Sequence, residues 1–397
     1  MTREELTSKF LTSTSNHFVL QLPTSYGKSY MALQKANQWY KKDCKILIVI
    51  PRNVLIDNWK DEIKKWKYNK MLPNITFTTY RSLPKHCGNH WDICICDEAH
   101  HTSERCQDAM RYLDVTHFIG LSATLKKEIL FFFTTKFHPE IIKVAVKDAI
   151  ESSVLPDPKI ILIPIKLDNI IVNQVIKKNI KKNTDLTCVK TIGYAEKWKY
   201  KGYKGPLHIL CTQRQYYNDI SNLIEWYKKN SSTSARMKNM WLHKAGERLK
   251  WLAEQKETIV KELLKELKNY RILTFCQSIE QSETLGCPCV NSKVGTANLE
   301  KFNAKKIKHI ASIDMLNEGL NPVDCKIGLF QMINSSQRLS IQKIGRILRH
   351  KEPVLIFPYF IESREEEIIK EVIQDYNPEL IIRLNASNIS NIKNYMI

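Results

Sequence analysis

Pro23-Thr24-Ser25-Tyr26-Gly27-Lys28-Ser29, directly after Phe18-Val19-Leu20-Gln21-Leu22, is the stretch from which the architecture of this chain can be read. The five residues before it form a short apolar run suited to a buried strand, and the pattern from Ser29 onward predicts a helix. A glycine-containing turn between strand and helix gathers backbone N–H groups and the positive end of the helix dipole at one point, which is how a chain holds phosphate. Lys28 has the reach to address the β- and γ-phosphates of a nucleoside triphosphate. The Ser29 hydroxyl can ligate Mg²⁺, a hard cation that takes oxygen ligands and bridges phosphate oxygens.

The next informative string is Asp97-Glu98-Ala99-His100, which follows Trp91-Asp92-Ile93-Cys94-Ile95-Cys96. That run reads as a buried parallel strand, so Asp97 emerges at the strand's C-terminal end, where doubly wound sheets bind ligands. Asp97 is expected to be the second Mg²⁺ anchor, and Glu98 to orient or deprotonate an attacking water. Far along the chain, Gln342-Lys343-Ile344-Gly345-Arg346-Ile347-Leu348-Arg349 places Arg346 and Arg349 three residues apart. They share a helix face and can neutralise charge developing on one γ-phosphate, with Gln342 a turn earlier.

In this order the strings resemble the superfamily 2 helicases and translocases of the Asp-Glu-Ala-His class, whose two RecA-like domains sandwich ATP. Pro51-Arg52 with Leu55, Trp59 and Glu62 looks like that family's motif Ia, Thr78-Thr79-Tyr80 like Ib, and Ser122-Ala123-Thr124 like III. Thr274-Phe275-Cys276-Gln277-Ser278 looks like IV and Asn317-Glu318-Gly319-Leu320-Asn321 like V. The resemblance implies ATP and Mg²⁺ as cofactors, with Pro23, Thr24, Ser25, Tyr26, Gly27, Lys28, Ser29, Gly319 and Asn321 binding nucleotide, and Ser29 and Asp97 the metal. It implies catalytic roles for Glu98, Lys28, Arg346, Arg349 and Gln342, and coupling of hydrolysis to domain movement through His100, Ser122 and Thr124. Read alone, a Ser-Ala-Thr turn can simply cap the next helix. Arg52, Thr79, Arg81 and Ser278 are the implied nucleic-acid contacts, and the other reading is polar side chains that only face water. Two departures stand out: Leu22 where the family has a small residue, and Ser25 where it usually has glycine, so the backbone approaches phosphate under tighter constraint. No glutamine lies between Met1 and His17 to read adenine, so several nucleoside triphosphates are expected to be hydrolysed with similar efficiency.

At 397 residues the chain is long enough for two or three domains, and 43% hydrophobic with 26% charged residues is ordinary globular composition. Lys and Arg outnumber Asp and Glu by 61 to 41, a net charge of +20 that favours a polyanionic partner through counterion release. No window of apolar residues is long enough to cross a membrane, and Met1-Thr2-Arg3-Glu4-Glu5 does not begin like a signal peptide, so a cytoplasmic protein with reduced thiols is expected. Cys287-Pro288-Cys289 and the group His86, Cys87 and His90 lack the paired Cys-x-x-Cys spacing of structural zinc sites.

The organisation expected is α/β: two RecA-like, doubly wound parallel-sheet domains in tandem, with a basic, largely helical insertion between them. The boundaries read as 1–167, 168–236 and 237–397. Ile160–Ile165 reads as a further strand and Leu249–Leu267 as one helix leading into the second domain. The insertion interleaves Trp198, Tyr200 and Tyr203 with Lys197, Lys199, Lys201 and Lys204. Aromatics there can stack on bases while lysines hold phosphates, and a solvated linker reads the same residues equally well.

Together these features predict an ATP-dependent helicase that translocates on and remodels DNA. DNA is favoured over RNA because only a short segment follows Arg349. The compact layout resembles small branched-DNA helicases of the phage UvsW type, which would place it, as a monomer, in a host cytoplasm beside recombination or replication proteins. The rival readings are a duplex translocase that does not separate strands, an RNA helicase, and a nucleic-acid-binding protein whose ATPase has decayed.

Overall fold

The computed structural model of the chain describes residues 2–168, 171–178, 207–291, 293–313, 322–333 and 343–396. Its first sheet has six parallel strands in the order β3-β2-β4-β5-β1-β6. They are β1 (His17–Gln21), β2 (Ile46–Ile50), β3 (Ile75–Thr79), β4 (His90–Cys96), β5 (Asp114–Ser122) and β6 (Glu140–Lys143). All five residues of β2, Ile-Leu-Ile-Val-Ile, are buried, as a strand covered by helices on both faces requires. The helices of this half are α1 (Arg3–Thr12), α2 (Lys28–Trp39), α3 (Leu55–Lys65), α4 (Glu104–Arg111), α5 (Lys127–Phe137) and α6 (Val146–Glu151).

The parallel arrangement brings one end of every strand to a common edge. Pro23–Gly27 follow β1, Arg52 follows β2, Arg81 follows β3, Asp97 and Glu98 follow β4, and Thr124 follows β5. Residues from separate parts of the chain therefore share the C-terminal rim of the sheet, where ligands bind in open α/β folds.

The second sheet has seven parallel strands in the order β11-β12-β10-β13-β14-β7-β15. These are β7 (Lys159–Ile165), β10 (Ile272–Phe275), β11 (Cys289–Val290), β12 (His309–Ser312), β13 (Ile327–Phe330), β14 (Val354–Phe360) and β15 (Ile381–Arg383). The membership of β7 differs from the expected division at residue 167: Lys159–Ile165 pairs along its full length with Val354–Phe360, so the chain has already crossed into the second sheet before the insertion starts. Its apolar residues Ile160, Ile161, Leu162 and Ile163 fill a slot between β14 and β15 that leaves no solvent-facing side.

Between β7 and β10 the described chain forms an antiparallel pair, β8 (Ile171–Lys178) with β9 (Leu207–Thr212). Three helices follow, α7 (Gln213–Lys229), α8 (Ala235–Gln255) and α9 (Glu257–Glu266). The helix expected over Leu249–Leu267 is thus broken at Lys256, whose side chain is fully buried against Glu365. In α5, Phe132 and Phe133 are in the core, whereas Phe131 is 73% exposed.

Candidate functional site: a cleft between two sheets

Leu22 leaves β1 by donating its N–H to the Ser122 carbonyl on the neighbouring strand at 3.1 Å, and Tyr26 N–H closes the turn onto the Pro23 carbonyl at 3.2 Å. Two residues of the turn have left-handed backbone, Ser25 at φ 72° and Gly27 at φ 99°. Glycine takes that region without strain; a residue with a Cβ loses roughly 1–2 kcal/mol there. The departure noted at Ser25 is therefore a strained position. Gly27 immediately precedes α2, whose first-turn N–H groups have no side-chain cap, an arrangement open to phosphate oxygens. A methyl group on Gly27 would fall 2.2 Å from an Arg3 guanidinium nitrogen, so this glycine also makes room for the N-terminal helix.

Lys28 folds back over the turn and donates to the Leu22 and Pro23 carbonyls at 2.9 and 3.3 Å. Enclosure lowers the pKa of its ammonium, while Glu98 and then Asp97 pull it back up. Across the cleft floor, the Asp97 carboxylate accepts from the Trp59 indole Nε1 at 2.9 Å and from the Glu98 N–H at 3.0 Å. The Tyr80 hydroxyl donates to the Asp97 carbonyl at 2.7 Å. Burial, then the Glu98 charge, push the Asp97 carboxyl above its ordinary range, and the Trp59 N–H and Lys28 oppose that. A partly desolvated carboxylate is an oxygen donor with a bias toward a cation, which suits Mg²⁺.

Glu98 turns the chain through φ 47°, another left-handed non-glycine residue. Burial would raise its carboxyl, but the hydrogen bond with His100, and then Lys28, hold it below the usual range, so it is an anion poised to accept a proton or orient water. The buried His100 Nδ1 lies 3.3 Å from Glu98 Oε2 and 3.1 Å from Ser122 Oγ, and the Ser122 hydroxyl donates a hydrogen bond to the Thr124 carbonyl at 2.8 Å. The three residues expected to couple hydrolysis to movement thus form one chain of contacts with Glu98, running from β4 to β5.

The second sheet supplies the opposite wall. Arg346 is 4% exposed, and its charge is among those that hold Glu98 low. Arg349 Nε donates to Ser25 Oγ at 2.9 Å, and Ser25 Oγ donates to the Gly345 carbonyl at 2.7 Å. A Cβ on Gly345 would lie 2.5 Å from the Thr24 Cβ, so this approach of the two sheets needs glycine. Thr24 Oγ1 is buried and has no hydrogen-bond partner among the described residues.

Of the expected nucleic-acid contacts, Arg52, Thr79 and Arg81 lie at the C-terminal ends of β2 and β3. Thr79 Oγ1 is 3.3 Å from Ser82 Oγ, and Ser278 caps the helix Ile279–Thr284 by accepting from Gln281 N–H at 3.3 Å. Gln342, Gly319, Asn321, Lys197, Trp198, Lys199, Tyr200, Lys201 and Lys204 lie outside the described residues. Arg3, Trp59 and Tyr80 were not among the site residues read from sequence. Trp59 and Tyr80 stood in the motif-like strings, but nothing local says that they converge on Asp97.

Residues 3–127 match the family model described as the type III restriction enzyme, res subunit. The DNA 3'-5' translocase XPB2 of Sulfurisphaera tokodaii is 24% identical over 363 residues, covering 84% of this chain and 75% of that protein. The structure of S. cerevisiae Dbp5 bound to RNA and ADP BeF3 superposes with a TM-score of 0.61 at 10% identity, covering all of this chain (100%) and 93% of that one. A variant of the same yeast protein in the same complex gives 0.61 at 10% identity, with 99% and 92% covered. The fold is the tandem RecA-like pair of these helicases. With the cleft described above, these similarities are those of a nucleic-acid-dependent ATP hydrolase.

Proposed function

We propose that this protein is an ATP-driven motor that translocates on DNA and remodels it, with branched DNA as the preferred track. The observation that carries the reading is the meeting, in one cleft, of Lys28, Asp97 and Glu98 from the first sheet with Arg346 and Arg349 from the second. Such a site can hydrolyse a nucleoside triphosphate only while the two walls are together, so turnover and relative movement of the sheets are linked.

Ser29 and Asp97 are the residues that would hold Mg²⁺, which when bound neutralises phosphate charge. Lys28 and the uncapped N–H groups of α2 hold the phosphates. Glu98 orients the attacking water and accepts its proton, with His100 fixing the carboxylate. Arg346 and Arg349 stabilise charge spread over the transferred phosphoryl group. The contacts from Glu98 through His100 and Ser122 to Thr124 give a route by which hydrolysis reaches β5. Arg52, Thr79 and Arg81 on one sheet, and Ser278 on the other, are our proposed strand contacts, joined by the lysines and aromatics of 197–204.

DNA as the track is supported by the translocase relative and by the +20 net charge. The basic segment between the two halves and Val146-Lys147-Asp148-Ala149-Ile150 before Leu155-Pro156 support the finer comparison with small phage helicases of the UvsW type. A second reading, translocation on duplex without strand separation, is supported by Asn58-Trp59 with Glu62 after Pro51, and the relative is named a translocase.

The test is ATP hydrolysis by wild type and Glu98→Gln, alone and with single-stranded, duplex, forked and four-way DNA and structured RNA at low salt. Maximal stimulation by forked or four-way DNA, lost by ~10²-fold or more in Glu98→Gln, is the expected result. Stimulation by duplex alone with no strand displacement selects the second reading. Stimulation by RNA alone, or no hydrolysis, refutes the proposal.

A further inference from the structure

The hydroxyl of Ser25 joins two elements more than three hundred residues apart. It accepts from Arg349 Nε at 2.9 Å while donating to the Gly345 carbonyl at 2.7 Å, so both of its hydrogen-bonding roles are spent across the cleft. Nothing in the phosphate-binding role of the turn calls for this side chain. The turn binds phosphate through backbone N–H groups, and at φ 72° a glycine would serve it with less strain. Strain retained in a site generally accompanies a contact that it makes possible. Here the left-handed backbone directs Oγ out of the turn toward the second sheet, and Gly345 removes the Cβ that would otherwise strike Thr24.

Arg349 needs such a partner. Its side chain is long and costs rotamer entropy to order, and the contact with Ser25 fixes it through Nε, the nitrogen nearest the stem. The contact takes one of the five guanidinium N–H donors, so a hydroxyl at Nε orients the fork and leaves the N–H groups of the terminal nitrogens for phosphate.

We propose that Ser25 is a positioning residue for Arg349: its hydroxyl aligns the guanidinium over the phosphate turn and registers the second sheet against the first. This rests on the ATP-hydrolase motor reading of the cleft. It assigns Ser25 a task distinct from nucleotide binding, in that it acts on the rate of the chemical step through Arg349.

Ser25→Gly deletes the hydroxyl, keeps the turn's backbone and relieves its strain, so the variant folds. Its kcat is expected to fall about 10- to 100-fold, the loss of one hydrogen bond to a charged group, with KM for ATP within about threefold of wild type. A residue that only shaped the phosphate turn would change KM instead. Arg349→Lys retains the charge but has no Nε, so adding Ser25→Gly to it is expected to cost no further activity. A Ser25→Gly kcat within about twofold of wild type, or an equal loss in the Arg349→Lys background, overturns the assignment while leaving the motor reading intact. Energy transfer between labels at the exposed positions Tyr112 and Val323 reads the same contact without turnover. If wild type hydrolyses no ATP, the motor reading fails. Lower transfer in Ser25→Gly then supports the registering contact, and unchanged transfer overturns it.

Discussion

Lys256→Met tests what holds the helical arm to the second sheet. Lys256 sits at the joint between α8 and α9, and its Nζ lies 2.6 Å from Glu365 Oε1, with side-chain exposures of 0% and 1%. The ammonium also donates to the Pro358 carbonyl at 3.2 Å, and the other Glu365 oxygen accepts from Phe360 N–H at 3.0 Å. Methionine has nearly the same length, so no large cavity opens, but Glu365 is left as a buried carboxylate with one backbone donor. Removing one partner of a buried pair costs about 3–5 kcal/mol. For a domain of this size that lowers the melting temperature by roughly 6–20 °C. The pair itself contributes far less than this. Burial lowers the Lys256 pKa with Glu365 only opposing it, so desolvation consumes much of the mutual attraction. Lys256→Met combined with Glu365→Gln keeps an acceptor for Phe360 N–H and removes the charge, and is expected to recover to within ~2 kcal/mol of wild type. Calorimetric melts of the three proteins decide the matter. A single variant within ~1 kcal/mol of wild type, or a double variant as unstable as the single, would refute the reasoning.

Two further perturbations follow from the same structure. Trp59→Phe keeps the ring but removes the N–H that supports ionised Asp97, so half-saturating Mg²⁺ for binding of a fluorescent ADP is expected to rise about tenfold or more; an unchanged Mg²⁺ titration excludes this role. His117 stacks on Trp39 at 4.2 Å, and its pKa is lowered by burial and then by His17, whose own is lowered by burial and His138. The unfolded chain therefore binds more protons below the ordinary histidine pKa of about 6.5, and stability present above it is lost as pH falls toward 5. His117→Phe is expected to flatten that part of the stability-versus-pH curve, and an unaltered slope would show that the protons go elsewhere.

Local pattern carries the elements that consecutive residues build. The apolar run Phe18–Leu22, the turn to Lys28 and the helix beyond it are consecutive residues, and they fold as β1, the left-handed turn and α2. Cys94 and Cys96 enter the core, and Asp97 stands at the strand end, because parallel strands covered on both faces are apolar throughout and polar only where they stop. The two-sheet architecture was legible for the same reason. The tertiary structure alone decided contacts between residues far apart in the chain. Trp59 meets Asp97 across 38 residues, Lys256 meets Glu365 across 109, and Ser25 meets Arg349 across 324. The membership of β7 in the second sheet is a pairing of Lys159–Ile165 with Val354–Phe360, and an apolar strand carries no mark of which partner it will take. Periodicity and turn chemistry act through neighbouring backbone dihedrals, whereas strand order and cleft contacts depend on how completed elements pack, and that information resides in their surfaces taken together.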